Sequence, residues 1–191
     1  VQGEVSFLLA AAGNYLDDNK YKQVSENLID YLFYTSYARQ GARNDKESSV
    51  YGLLSWSYTN PHVFYSDDNA RAIMGVIGAS AFLENQRWNK FIVENILANF
   101  RLSSKQGFYR RLNQEEVQKK GWKYFNQRNH INPHPHYESW IWACYLWLYD
   151  KTNYKPLLDK AKTAIQITME AYPDNWGWTN GIQQERARMI L

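Results

Sequence analysis

Cysteine is almost absent from this sequence of 191 residues, in which Cys144 stands alone. A single cysteine cannot form an internal disulfide, so a disulfide framework is excluded. Because Cys144 lies in an apolar segment, we expect a buried and inert thiol. No apolar run reaches the roughly 18 residues that a membrane-spanning helix requires, so no membrane span is predicted. The length fits a single domain with its own core.

Net charge is also small, at +3, and acidic and basic residues alternate over most of the chain. This balance does not suggest a nucleic-acid partner. One local stretch, Arg101 to Arg128, is basic; its cations include Lys105, Arg110, Arg111, Lys119, Lys120 and Lys123. Such a stretch is typical of a solvated loop, although it is also compatible with an acidic ligand.

Aromatic residues are abundant, with eight Trp, fifteen Tyr and eight Phe. That number exceeds what core filling usually requires. Planar side chains with a polar end also stack against sugar rings. Core packing and carbohydrate binding are therefore both open interpretations of the excess.

A repeat of about 66 residues runs through the chain. Three short polar turns carry an aromatic residue at the same place, and Tyr21, Trp88 and Tyr154 are 67 and 66 positions apart. Apolar residues recur at helical spacing before the second turn. The segment Ser139 to Tyr149 is apolar nearly all round, which predicts a helix buried on both sides.

These patterns predict an all-α fold made of helical hairpins within one domain, residues 1–191. We expect hairpins at about 5–35, 68–102 and 136–172, with a fourth starting at 180–191. The period exceeds the roughly 34 to 47 residues of common helical arrays and favours a toroid of hairpins. Because three and a half hairpins do not close a six-hairpin ring, we expect a partial ring or a fragment. The start at Val1 and the lack of a signal peptide fit a processed or excised segment.

Two long segments link the hairpins, roughly 36–67 and 103–135. Links of this length in a compact domain usually have a function. We expect the first to hold a strand pair around Ser55 to Tyr58.

Inner helices of such hairpins run in the same direction, so their N-termini should meet at one mouth of the fold. Helix N-termini expose unpaired N–H groups and suit polar or anionic groups. The sequence is polar at three of these starts: Phe64 to Arg71, Asn132 to Trp140, and Trp176 to Arg186. Each has a simpler explanation. Asp67 or Asp68 can serve the helix start as a cap or first-turn acid, as can Glu138, and Asn180 is a natural cap.

Three of the four histidines lie together as His130, His134 and His136. This spacing is compatible with a metal site that includes Asp67, and also with hydrogen bonds to a substrate. Because the chain lacks cysteine ligands and a zinc-type helix motif, we expect no metal. We expect no cofactor either.

The helix starts Tyr65-Ser66-Asp67-Asp68-Asn69, His134-Pro135-His136-Tyr137-Glu138 and the segment 181–188 (Gly-Ile-Gln-Gln-Glu-Arg-Ala-Arg) together resemble the six-hairpin (α/α)6 glycosidase superfamily. The double aspartate is similar to that of the α-1,6-mannanase family, in which paired aspartates serve as nucleophile and acid/base. The other two segments more closely resemble a group of bacterial polysaccharide-utilisation proteins. The resemblance covers the hairpin architecture over most of the chain and implies a secreted or periplasmic protein.

We therefore expect a carbohydrate ligand and hydrolysis of a glycosidic bond by paired carboxylates, which must flank the scissile bond. The candidate catalytic residues are Asp67, Asp68 and Glu138. The candidate substrate-binding residues are Tyr65, Asn69, Arg71, His134, His136, Trp140, Trp178, Asn180, Gln184 and Glu185. The alternatives are a non-catalytic glycan-binding or interaction module, a lyase or unsaturated-uronyl hydrolase acting on acidic glycans, and an aldose epimerase. The oligomeric state does not follow from the sequence.

Overall fold

A computed structural model describes residues 2–190 and is mostly helical, which confirms the all-α prediction. In this range the helices are α1 (Gln2–Tyr15), α2 (Asn19–Asp30), α3 (Ser66–Phe82), α4 (Asn89–Leu102), α5 (Gln114–Lys120), α6 (Trp122–Gln127), α7 (Pro135–Thr152), α8 (Lys155–Glu170) and α9 (Ile182–Ile190). Two short strands, β1 (Val63–Tyr65) and β2 (Arg111–Asn113), form an antiparallel pair. Within residues 2–190, no helix has the length and apolar character to cross a membrane.

Three helix pairs form antiparallel hairpins: α1 with α2, α3 with α4, and α7 with α8. Helix α1 packs on α3, α3 on α7, and α7 on α9, so these four helices follow one another in space. The first hairpin begins at Gln2, earlier than the expected residue 5. Val1 and Leu191, the ends of the predicted domain and of the predicted fourth hairpin, lie outside the described residues.

The three hairpin turns share a left-handed residue, whose position follows the sequence repeat in only two of them. Asp17, Glu84 and Asn153 each adopt a left-handed backbone, with φ of 51°, 50° and 54°. Asp17 and Glu84 occupy equivalent places in the repeat, but Asn153 lies three places later because α7 continues to Thr152. A left-handed residue ends a helix sharply, and Asn is among the residues that accept this conformation most readily.

Helices α1 and α3 approach each other closely because glycines face each other at the crossing. A Cβ atom at Gly3 would overlap the backbone of Ala72, and one at Gly75 would overlap the backbone of Gly3. Both glycines are buried. Two helices can come this near only where no side chain separates their backbones. The position of α3, and of the residues at its start, therefore depends on these glycines.

The core of the hairpins is one continuous cluster that extends from α1 to α8 and is centred on α7. Helix α7 packs against α3, α4, α8 and α9, which explains why it is apolar nearly all round. Cys144 is 1% exposed, and burial raises the pKa of its thiol to about 12. It has the environment of an inert core thiol.

The links between hairpins are folded against each other. Strand β1, from the first link, pairs with β2, from the second, with Phe64 opposite Leu112. The predicted strand pair around Ser55 to Tyr58 is wrong: that segment is irregular, and the strand begins at Val63. A local pair would have needed a partner within the same link, whereas the partner lies in the other link. The second link also contains α5 and α6, so the basic stretch is not simply a solvated loop.

Candidate functional site

The N-termini of α3, α7 and α9 meet at one end of the molecule. The Ser66 hydroxyl at the start of α3 donates to the carbonyl oxygen of Tyr137 in α7, at 2.7 Å. The Arg188 side chain of α9 donates to the carbonyl oxygen of His136, at 3.1 Å. These contacts bring residues distant in sequence to a common mouth, as a parallel arrangement of inner helices predicts.

An open cleft of about 260 Å³ lies at this mouth. Six residues line it: Trp56, Tyr65, Asp67, Asp68, His136 and Tyr137. The rings of Tyr65 and Tyr137 are stacked, with centroids 6.0 Å apart. The rings of Trp56 and Tyr65 meet edge to face, with centroids 5.4 Å apart. Arg110 covers the Tyr137 ring at 4.5 Å. The cleft thus combines two adjacent carboxylates with aromatic walls.

Asp67 is a buried carboxyl group at this cleft, with only 5% of the residue exposed. Burial, together with the negative charge of Asp68, raises its pKa from 3.8 to about 6. Peptide N–H groups at the helix start and the Arg71 charge oppose this rise without cancelling it. A carboxylate that only served the helix start would be stabilised in its charged form there, with a lowered pKa. The N-cap residue of α3 is Tyr65, which makes no capping bond through its side chain.

Asp68 is half-buried, and burial raises its pKa as well, against the positive charge of Arg71. Arg71 lies one helical turn further along α3, where it forms an ion pair with Glu4 of α1 at 2.8 Å. The two carboxyl groups lie in different environments, because Asp67 is buried and Asp68 is only half-buried. Such a difference is what separates an acid from a base in hydrolytic sites.

His136 lies between two carboxyl groups. Its Nε2 is 3.5 Å from Asp67 Oδ2, and its Nδ1 is 3.8 Å from Glu185 Oε1. Both distances exceed those of normal hydrogen bonds, yet they place one imidazole in reach of both groups. Burial lowers the pKa of His136, and the charges of Arg188, Arg71 and Arg110 add to this effect. At neutral pH an uncharged imidazole therefore lies between Asp67 and Glu185.

Glu185 supports this arrangement from behind the cleft. It is 0% exposed, its Oε1 accepts a hydrogen bond from the Thr179 peptide N–H at 3.3 Å, and burial raises its pKa. Its Oε2 has no hydrogen-bond partner among residues 2–190, and neither has Asp67 Oδ1. A water molecule, a ligand or a proton on the carboxyl group can satisfy such an acceptor.

Glu138 is placed differently from the two aspartates. It is 0% exposed, and its Oε1 accepts hydrogen bonds from the peptide N–H groups of Tyr109 and Arg110, at 3.0 and 2.6 Å. Burial raises its pKa to about 8 despite these bonds. Glu138 does not line the cleft. It holds the backbone just before β2, where Arg110 has a left-handed φ of 52° and turns its side chain onto Tyr137.

Asn69 also holds the backbone. Its amide accepts from the Leu54 peptide N–H at 2.8 Å and donates to the Leu54 and Tyr65 carbonyl oxygens. Asn95 of α4 donates to the same Asn69 oxygen at 2.8 Å. These bonds tie the first link to α3 and thereby fix the segment that presents Trp56.

The other candidates for substrate binding lie outside the cleft lining. His134 is 7% exposed, its ring packs on Gly177 and contacts the Thr179 hydroxyl at 3.3 Å, and burial lowers its pKa to about 4. Trp140 lies further along α7, beside a separate apolar cavity, with Arg188 over its ring. Three residues are exposed around the start of α9 without lining the cleft: Trp178, Asn180 and Gln184.

Two cleft residues, Trp56 and Tyr137, were missing from the sequence-based set. Tyr137 follows His136 directly and was overlooked because a helix start offers no indication of which neighbour faces inward. Trp56 lies in a link without regular structure, where Ser55-Trp56-Ser57-Tyr58 alternates small polar and aromatic residues. An aromatic pair in such a link was the sequence feature that could have indicated a binding surface. Within residues 2–190, no group of three or more His, Cys, Asp or Glu side chains is arranged to hold a metal ion.

Fold and site together define a mostly helical protein in which helix starts form an aromatic-walled cleft beside two adjacent aspartates. A scan of protein-family models, a search of curated proteins and a search of solved structures each find no significant match to this chain.

Proposed function

We propose that the protein is a carbohydrate-active enzyme that hydrolyses a glycosidic bond, with Asp67 and Asp68 as the catalytic carboxyl groups. One observation carries this proposal: a buried aspartate with a raised pKa lies beside a second aspartate in an open cleft walled by Trp56, Tyr65 and Tyr137. Glycoside hydrolysis needs a protonated acid and an ionised carboxylate near the scissile bond. Aromatic faces are suited to hold the sugar rings.

The environments of the two groups suggest their roles. Asp67, with a pKa of about 6, retains a proton at mildly acidic pH and donates it to the leaving oxygen. Asp68, which is less buried and lies near the positive charge of Arg71, acts as nucleophile or as base toward water. His136 lies between Asp67 and Glu185 and helps to keep the acid in place. Glu138 contributes by holding Arg110 at the rim rather than by touching the substrate.

We further propose that the hairpins belong to an (α/α)6 toroid. The order α1, α3, α7, α9 of contacting helices, with α4 packed against both α3 and α7, supports this arrangement. A secreted or periplasmic location fits a protein of polysaccharide utilisation. A glycan-binding module without turnover is the second candidate, because the aromatic walls can hold sugar rings without help from the carboxylates.

Release of reducing sugar from a panel of polysaccharides tests the proposal, followed by Asp67→Asn and Asp68→Asn. Asn keeps the shape and most hydrogen bonds of Asp but cannot ionise or donate as an acid. Turnover should fall at least about a hundredfold in each variant, the usual scale for loss of a positioned acid or base. Glu115→Gln, at the first turn of the exposed helix α5, is the matched control and should retain full turnover. Full activity in both Asn variants would contradict the assignment.

A further inference from the structure

A second cavity of about 230 Å³ adjoins the cleft and shares Trp56 and Asp68 with it. Its wall comes from the start of α1, from the turns after α2 and from the first link. The two cavities together form a continuous groove that begins at the aspartates and continues toward Tyr37 and Tyr58. We call this second part the aromatic groove.

Four exposed aromatic residues line the aromatic groove: Tyr31, Tyr37, Trp56 and Tyr58, with 47%, 45%, 47% and 83% of each residue exposed. Side chains of this kind are usually buried, so an exposed cluster in one concavity indicates a binding surface. The rings of Tyr37 and Tyr58 meet edge to face at 5.8 Å.

The backbone beneath these rings is held in place. The peptide N–H of Ser55 donates to the Ala38 carbonyl oxygen at 3.0 Å, and that of Trp56 donates to Val63 at 2.9 Å. Arg43, 3% exposed, donates to the Tyr37 carbonyl oxygen at 2.9 Å and packs against the Tyr37 ring. A fixed platform loses little entropy when a ligand binds, which suits recognition by stacking.

Charge distinguishes the possible ligands. Among the lining residues within 2–190, Asp68 is the one carboxylic acid, and none is Lys, Arg or His. Single-stranded nucleic acids also stack on aromatic side chains, but the proteins that bind them add a basic groove for the phosphates. An anionic glycan would meet the Asp68 charge in a lining whose described residues supply no cation, since Arg71, a cation near Asp68, does not line the groove. Neutral sugar rings fit, and Gln2, Ser55 and Ser57 offer polar groups to their hydroxyls.

We propose that the aromatic groove binds a chain of neutral sugars and holds it so that the chain enters the cleft at Asp68. This inference rests on the proposed function for its substrate, and it adds the chemical class of that substrate and the residues that select it. Trp56, shared by both cavities, contacts the sugars nearest the aspartates, and Tyr37 and Tyr58 contact those further away.

Affinity electrophoresis measures this binding separately from turnover. The Asp67→Asn protein is run in gels that contain neutral polysaccharides (mannan, laminarin, xyloglucan or arabinogalactan) or anionic ones (polygalacturonate or alginate), at about 0.15 M salt to screen its net charge. At least one neutral polysaccharide should retard the protein, and the anionic ones should not. Adding Trp56→Ala or Tyr58→Ala should weaken the affinity for that polysaccharide at least about tenfold, as expected for removal of a central aromatic contact.

The control variants remove equally exposed aromatics elsewhere: Trp122→Ala in α6 and Tyr15→Ala in α1 should leave the retardation unchanged. Retardation by anionic polysaccharides alone, no retardation by any, or wild-type retardation in the Trp56→Ala variant would each overturn the inference. Failure of the proposed function is distinguishable. Binding that requires Trp56 without any turnover would support the aromatic groove and reject hydrolysis. Turnover that requires Asp68 but does not change in the Trp56→Ala variant would support hydrolysis and reject the aromatic groove.

Discussion

At the scale of single residues, burial determines what each acid in the site can do. Asp67 and Glu138 both have raised pKa values for this reason, but they face different surroundings. Asp67 contacts the cleft and His136, whereas both hydrogen bonds of Glu138 go to peptide groups behind it. An acid in an open cleft can exchange protons with a ligand, and an acid enclosed by peptides cannot.

Asp67 should reduce the stability of the protein at neutral and alkaline pH. Its folded-state pKa is above the value of 3.8 expected when unfolded, so the folded state binds the proton more tightly. The stability that this proton provides is fully present below pH 3.8 and is lost as the pH rises toward about 6. The rise in the pKa of Asp67 from 3.8 to about 6 corresponds to at most about 3 kcal/mol in the free energy of unfolding.

Asp67→Asn removes this dependence, because Asn stays neutral. We compare the free energy of unfolding in urea of the variant with that of wild type at two pH values. The difference should be at least about 1.5 kcal/mol more in favour of the variant at pH 7.5 than at pH 4. Asp174→Asn, at an exposed position, should show no such change with pH. Parallel pH curves for wild type and Asp67→Asn would mean that burial does not raise the pKa of Asp67.

At the scale of elements, the glycine contact between α1 and α3 sets where the aspartates lie. Gly75→Ala places a methyl group against the backbone of α1, and backbone cannot move aside as a flexible side chain can. We expect a loss of about 1 to 3 kcal/mol in the free energy of unfolding, despite the better helix propensity of alanine.

The control lies three residues further along the same helix. At Gly78 a new Cβ would meet the ring of Phe7 rather than backbone, and this side chain is 42% exposed and can shift, although it also contacts Phe82. Gly78→Ala should therefore be neutral or stabilising by up to about 1 kcal/mol, measured by urea unfolding of both variants. Equal destabilisation by the two substitutions would show that the helix crossing has no special need for glycine.

At the scale of the whole molecule, the links join the hairpins into one structure. The β1–β2 pair connects two links, Asn69 connects the first link to α3 and, through Asn95, to α4, and the core cluster extends from α1 to α8. A linear array of hairpins that contact only their neighbours would unfold in parts. Links that cross from one hairpin to another oppose such partial unfolding.

We therefore expect one cooperative transition for the protein in urea. Far-UV circular dichroism, which reports the helices, and tryptophan fluorescence, which includes Trp56 in the first link and Trp142 in the core, should give coincident curves. Asn69→Ala, which releases the first link, should separate the two curves or lower both midpoints. Two separate transitions in the wild-type protein would show that the links do not couple the hairpins.

Much of the helical framework was accessible from sequence, because it depends on local patterns. Apolar residues at helical spacing predicted α3, α7 and α8, and the polar turns around Asp17, Glu84 and Asn153 separated the helices of each hairpin. The parallel direction of the inner helices predicted that Asp67 and His136 would share one mouth. Each of these inferences needed only the order of residues along the chain and the geometry of a helix.

Only the tertiary structure decided which polar residues at the helix starts face the cleft. Successive residues point about 100° apart around a helix, so Asp68 and Asn69 differ in environment although they are neighbours in sequence. The pairing of β1 with β2, residues nearly fifty positions apart, placed Trp56 at the cleft, and no local pattern specified that partner. The raised pKa of Asp67 likewise arises from burial by segments distant in the chain. Sequence determined the helices of the hairpins and approximately where the inner ones begin, and long-range packing determined which side chains at those beginnings can reach a ligand.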